Sequence, residues 1–217
     1  MTRAKFRFVF FDVDSTLVTI EGVDELARGN AAVIELTRQA KEGELPLEEV
    51  YARRLELARP TRQDVEALGR RYVESMVEGA AATIDALAKA GAHVRLVSAG
   101  VAQALAPLAE ELRIAPRNVH AVELRFDAGG SYAGYDDRSF LTRQDGKELL
   151  VRSILARSKG RSAFVGDGVT DLATKGVVDL FIGFGGVRQR PAVREAADVY
   201  VDGPSIAAVL PYLTEEA

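Results

Sequence analysis

An α/β fold, built on a doubly wound and mostly parallel sheet with a small helical insertion, is what this sequence predicts, and three observations predict it. Short β-rich apolar runs alternate with helix-length amphipathic stretches, the pattern of a parallel sheet covered by helices. Between residue 21 and about residue 77 the strand signal disappears and polar helical sequence takes over, as in a segment inserted after the first strand. Finally, 217 residues of which 47% are apolar can bury one sizeable core with a modest insertion, but not two large independent domains.

Six strand candidates follow in order: residues 6–11, 92–98 (AHVRLVS), 119–126 (VHAVELRF), 162–166 (SAFVG), 180–185 (LFIGFG) and 199–201 (VYV). Gly91 closes the helical segment before the second run, as glycine commonly does at a helix C-terminus. DAGGSYAG, 127–134, carries a Gly-Gly pair between strand-like pieces and reads as a hairpin at the sheet edge. The inserted block reads as three polar helices, broken near 43–46 and again at Pro60, with Thr61 and Asp64 resembling the start of the third. The expected division is therefore a core of residues 1–17 and 78–217 and a helical cap of residues 18–77.

Charge and composition narrow the partners. With 28 basic and 32 acidic residues and no long run of either sign, neither nucleic acid nor a membrane surface is expected as a partner. The absence of cysteine excludes disulfides, thiolate metal sites and a cysteine nucleophile. The apolar stretch near residue 8 is too short for a membrane span and runs into acids rather than a small-residue cleavage site, so a soluble, cytoplasmic protein is expected.

The sharpest chemical signal is FFDVDSTLV, 10–18, where an apolar strand ends in Asp12 and Asp14. Residues two apart on a strand point the same way, and ligands of open α/β sheets collect at the carboxyl ends of strands. A plainer alternative is a turn, since Asp, Ser and Thr are ordinary turn and capping residues. FVGDGVTDL, 164–172, repeats the arrangement with Asp167 between two glycines and Asp171 beyond, although an acid near a helix N-terminus is also favoured by the dipole alone. Together the clusters make an oxygen-rich pocket suited to a hard cation such as Mg²⁺.

Between them, LVSAG (96–100) ends a strand in Ser98, which reads as an anion-binding hydroxyl, as a helix N-cap, or as both together. Lys147 sits at the start of a predicted helix, where the dipole mildly disfavours a cation, so it asks for a negative partner: a bound phosphate or Asp12.

These elements in this order, Asp-x-Asp-x-Thr, strand-Ser, Lys and Gly-Asp-Gly-x-x-Asp, resemble the four motifs of the haloacid dehalogenase superfamily phosphatases, and the resemblance spans nearly the whole chain. Within it, DVDSTLV followed by EGVDELA (21–27), and GDGVTDL near the end, look like the phosphoserine phosphatase branch. The resemblance implies a haloacid dehalogenase-like core and an Mg²⁺-dependent phosphomonoesterase acting through an aspartyl-phosphate, within serine biosynthesis. By motif position it implies Asp12 as nucleophile and Asp14 as acid and base, with metal ligation by Asp12, the Asp14 carbonyl and Asp167, and Asp171 orienting that shell. Ser98, Ala99, Gly100, Lys147 and Thr170 would surround the phosphoryl group, Glu21 would face a substrate ammonium, and Arg54 or its neighbour Arg53 would clamp a carboxylate.

Three positions depart from the family pattern. Lys41 stands where methionine is usual, Leu47 where phenylalanine is usual, and Ala99 replaces the first glycine of Ser-Gly-Gly. Lys41 would reach a second anionic group of the substrate or point to solvent while its stem packs, and Ala99 is tolerable only at negative φ. The expected partner is a small phosphorylated molecule, phosphoserine or another small phosphomonoester, and the expected assembly a monomer or homodimer. A phospho-signalling receiver module, which pairs similar residues, is about half this length and carries its acceptor on a middle strand.

Overall fold

The computed structural model describes residues 2–216. The strands are β1 Thr2–Ala4, β2 Phe8–Phe11, β3 His93–Val101, β4 Val119–Val122, β5 Leu124–Phe126, β6 Tyr132–Tyr135, β7 Ser162–Gly166, β8 Leu180–Phe184, β9 Val199–Val201 and β10 Thr214–Glu216. The α-helices are α1 Gly22–Leu26, α2 Ala31–Glu42, α3 Leu47–Ala58, α4 Arg62–Glu74, α5 Ala80–Lys89, α6 Ala102–Glu111, α7 Gly146–Leu155, α8 Val169–Leu172, α9 Pro191–Ala196 and α10 Leu210–Leu213.

Six strands form one fully parallel sheet in the order β4-β3-β2-β7-β8-β9. The central strands β2 and β7 are buried throughout, and the aromatic rings of Phe10, Phe164 and Phe181 stack across β2, β7 and β8. Uninterrupted apolar runs are what a strand covered on both faces requires. β2 pairs with β3 on one side and β7 on the other, so chain order reverses there. Such a switch point opens a crevice beyond the carboxyl ends of its strands.

All six predicted strand runs contribute to this sheet, with two differences. The run 119–126 divides at Glu123, so β5 leaves the sheet and pairs antiparallel with β6. The hairpin therefore stands apart from the main sheet rather than at its edge, and it docks on the inserted helices: Tyr135 packs on Tyr51, Arg62 lies over Phe126, and the Arg62 amide donates to Gly130. The second difference is a small antiparallel pair, β1 with β10, which the sequence did not announce.

The inserted block holds four α-helices rather than three. The extra one, α1, is a single five-residue turn-like helix, too short to show a hydrophobic period. The breaks fall where expected: Gly43 takes φ 78° after α2, a left-handed value that suits glycine, and Thr61 with Asp64 forms a reciprocal capping box on α4. These helices are polar only outside. Tyr51, Leu55, Leu68 and Tyr72 are fully buried, and Gly69 brings α4 within close contact of Pro107 on α6, which fastens one side of the block to the sheet-covering layer.

Candidate active site

β2 delivers Asp12 and Asp14 to the switch-point crevice, and β7 delivers Asp167 beside them. The Asp12 amide donates to the Val165 carbonyl at 2.9 Å, continuing the ladder one residue beyond the strand and locking the two acid-bearing ends together. Asp12, Asp14, Ser98, Lys147, Asp167, Thr170 and Asp171 are all buried. Asp12, Asp14, Glu21, Val23, Ala40, Lys41, Leu47, Arg54, Ser98, Ala99, Gly100, Lys147 and Thr170 line one cleft. Sequence-predicted site residues thus converge on one place, with Asp167 and Asp171 just behind its wall.

Lys147 has the partner that its helix position asked for, and a second one. Its ammonium lies 2.6 Å from Asp12 Oδ1 and 2.5 Å from Asp171 Oδ1. Burial pushes the Asp12 carboxyl up, but Lys147 and Lys41 outweigh it and hold the group at about 2, so Asp12 is an ionised carboxylate. Asp171 also accepts from the amides of Asp167 (3.1 Å) and Gly168 (2.9 Å), fixing the turn that carries Asp167. The two glycines of that turn are required by closeness rather than by conformation. Gly168 has φ −108°, open to any residue, but a Cβ at Gly166 would fall 2.4 Å from Asp171, and one at Gly168 would fall 3.2 Å from Lys41.

Asp14 has a different environment. Burial, with the nearby charge of Glu21, raises its carboxyl to about 7, and the Tyr72 hydroxyl donates to its Oδ1 at 2.7 Å. The two aspartates of one motif are thus split, one a carboxylate and the other poised to exchange a proton near neutrality.

Ser98 is not a helix N-cap. β3 continues to Val101, which itself precedes α6, and the Ser98 hydroxyl accepts from the Gly100 amide at 2.9 Å inside the cleft wall. Ala99 lies outside the positive-φ residues, as its side chain requires, and its carbonyl accepts from the Tyr51 hydroxyl at 3.0 Å.

On the helical side, Glu21 faces the cleft and accepts from Ser15 at 2.7 Å. Arg54 is buried whereas Arg53 is exposed, which selects Arg54 as the residue that reaches the cleft. Its Nη1 donates to Thr37 at 3.2 Å, its guanidinium lies 5.4 Å from the Tyr51 ring centre, and its Nε has no partner. Leu47, at the start of α3, is buried against the same cleft. Lys41 does not point to solvent: its ammonium turns inward, 3.1 Å from Asp167 Oδ1, 3.4 Å from Asp12 Oδ2, 3.0 Å from the Asp14 carbonyl and 3.3 Å from Glu21.

That arrangement tests whether the acids suit a metal. Carboxylate oxygens of Asp12, Asp167 and Asp171 lie within 4.8 Å of one another, and three oxygens from Asp12, Asp14 and Asp167 already converge on one cationic nitrogen. Convergent hard oxygens around one positive centre are what Mg²⁺ takes. Leaving aside Asp14, which is poised to hold a proton, four carboxylates meet three cations, Lys41, Lys147 and Arg190, and a bound metal ion would offset the remaining negative charge.

Arg190 was missed. It follows β8 and holds Asp167 Oδ2 at 2.6 Å; a basic residue in the glycine-rich loop GFGGVRQR, after a parallel strand, was the available signal. Tyr72 gave none, since an aromatic on the buried face of a helix reads as core.

The fold and the acid-lined crevice define a class. Residues 9–174 match the family model described as haloacid dehalogenase-like hydrolase, and the chain belongs to that family. Phosphoserine phosphatase of Mus musculus is 34% identical over 197 residues, which cover 89% of this chain and 88% of that protein. A solved substrate-bound phosphoserine phosphatase complex superposes with TM-score 0.83 at 26% identity, covering 95% of this chain and 98% of that one. A phospho-aspartyl intermediate analogue of phosphoserine phosphatase gives TM-score 0.81 at 26% identity over 96% and 99% of the two chains. The enzyme is, accordingly, a phosphoric monoester hydrolase resembling the phosphoserine phosphatases. No helix among the described residues is long and apolar enough to cross a membrane.

Proposed function

We propose that this enzyme hydrolyses O-phosphoserine to serine and inorganic phosphate, with residues 18–77 as a substrate-reading cap over the core. The observation that carries the substrate is Arg54: a buried guanidinium with a neutral hydroxyl, an aromatic face and an unpartnered Nε, lining the same cleft as Glu21. Asp24 is reached only through Thr37, so the guanidinium keeps no direct anionic partner, and a ligand carboxylate is the group this corner accommodates. Glu21, which lines the same cleft, would receive the ammonium of the same substrate, and the likeness to named phosphoserine phosphatases supports this reading.

An ionised Asp12 attacks phosphorus, forming an Asp12–O–P bond as the bond to the serine oxygen breaks. Asp14, poised near 7, gives its proton to that leaving oxygen. It then takes a proton from the water that attacks the aspartyl-phosphate, which releases phosphate and restores both carboxyls. Lys147, Ser98 and the Ala99 and Gly100 backbone hold the phosphoryl oxygens, and Thr170 adds a donor at the rim. Mg²⁺ held by Asp12, the Asp14 carbonyl and Asp167 would supply charge neutralisation for the phosphoryl group, with Asp171 fixing Asp167.

Phosphate release from a panel of small phosphomonoesters, with Mg²⁺ and with EDTA, tests this. Preference for phosphoserine, abolished by EDTA, is expected. Preference for an ester lacking the carboxylate would move the substrate while keeping Asp12, and metal-independent release would remove the Mg²⁺ assignment.

A further inference from the structure

Lys41 is the one cation of the site that comes from the cap and yet pairs with the core. It stands in the last turn of α2, where the helix dipole favours a positive charge. Its stem crosses the face of Gly168, whose missing side chain leaves the passage, and its ammonium lies 3.0–3.4 Å from oxygens of Asp12, Asp14, Asp167 and Glu21. Three of these, the Asp12 and Asp167 carboxylates and the Asp14 carbonyl, are the oxygens proposed above to hold the metal. A divalent ion of the Mg²⁺ type sits about 2.0–2.1 Å from its oxygens. The ammonium and the ion therefore cannot occupy this position together.

We propose that Lys41 is a built-in counter-ion for the metal position: it neutralises the acid cluster in the metal-free enzyme, and metal binding must displace it toward the cleft. The proposal deepens the metal-dependent reading and rests on it. Two consequences follow from competition for one place. Apparent metal affinity is lowered by the fraction of molecules in which the ammonium occupies the position. The metal-free protein, conversely, is protected from the repulsion of clustered acids, and the cap is drawn onto the core by an ion pair that reaches from α2 to the turn after β7.

The stem argues for displacement rather than loss of fold. Lys carries its charge on four flexible carbons, and Lys41 lines the open cleft as well as the acid cluster, so the ammonium has a polar space to enter when it leaves. A side chain without charge at this position would pack there and compete with nothing.

Titration calorimetry of MgCl₂ into wild type, Lys41→Met and Lys41→Gln decides the matter, with thermal midpoints measured in EDTA and in saturating Mg²⁺. Both variants are expected to bind Mg²⁺ at least about tenfold more tightly, to melt lower than wild type in EDTA, and to gain more from Mg²⁺. Unchanged or weaker binding in both variants overturns the proposal while leaving the metal reading intact. A wild type that binds no Mg²⁺ overturns both. A measurement needing no variant is mass-spectrometric acetylation of wild-type lysines with acetic anhydride: Lys41 should label faster once Mg²⁺ is present, and an unchanged rate counts against displacement.

Discussion

On the core wall of the site, Asp12, Asp167 and Asp171 each lie within 2.6 Å of a cationic nitrogen, from Lys147 or Arg190. On the helical wall, Arg54 is nearly as buried as Lys147, at 6% against 3% exposure, yet touches no carboxylate directly, Thr37 standing between it and Asp24. The difference separates two tasks. The groups proposed to perform the chemistry are held by mutual charge before any ligand arrives, which is the preorganisation phosphoryl transfer needs. Under the proposed reading, the group that selects the substrate keeps a donor open for it, its buried charge until then offset only through Thr37 by Asp24.

The strongest way to break the core wall is Asp12→Asn. It removes the proposed nucleophile while preserving shape, and should lower kcat by at least about 10⁴-fold; residual turnover within tenfold of wild type would transfer the nucleophilic role elsewhere. Lys147→Met should act on stability as well as rate. It strands two buried carboxylates, costs about 3–5 kcal/mol, and should lower the thermal midpoint by roughly 10 °C in EDTA. An unchanged midpoint would show that the Lys147 pairs contribute nothing to folding.

The seam between the walls is Tyr72, which reaches from α4 to Asp14. Tyr72→Phe should reduce kcat about tenfold with little change in KM, because the acid loses its orientation and not its substrate contacts. A change in KM alone would assign Tyr72 to binding.

The smallest effect belongs to the interior of the inserted helices. Asp24 is raised to about 6, chiefly by burial, and its Oδ1 accepts from Thr37 at 2.5 Å. Because the folded value lies above the unfolded one, the neutral form favours folding. The contribution is complete below about pH 4 and fades as pH rises through about 6. Asp24→Asn keeps the acceptor and removes the ionisation, so its thermal midpoint should gain on wild type between pH 5 and pH 7 and run parallel to it below pH 4.

Much of the core wall was legible in the sequence because its signals are local. A strand ending in Asp-x-Asp, and another ending in Gly-Asp-Gly, place their acids at carboxyl ends wherever the strands lie. That β2 and β7 are neighbours is a long-range fact no short motif carries. The helical wall was legible only through resemblance: Glu21 and Arg54 lie on ordinary amphipathic sequence, and α1 is shorter than the period that would reveal it. Lys41 shows the limit most clearly. Its identity and its place among the inserted helices were plain, but its direction was set by an electrostatic well assembled from three carboxylates and a carbonyl brought together by the fold, and it turned away from solvent.

The contrast between a finished core wall and an open helical wall is tested most directly by the ratio of kcat/KM for phosphoserine to that for phosphoethanolamine, in wild type and Arg54→Ala. Loss of a charged hydrogen-bonding partner of the carboxylate should cost phosphoserine about 10- to 100-fold and leave phosphoethanolamine nearly unchanged, collapsing the ratio. Equal losses on both esters would contradict the account, because Arg54 would then be supporting the site as a whole rather than waiting for a carboxylate.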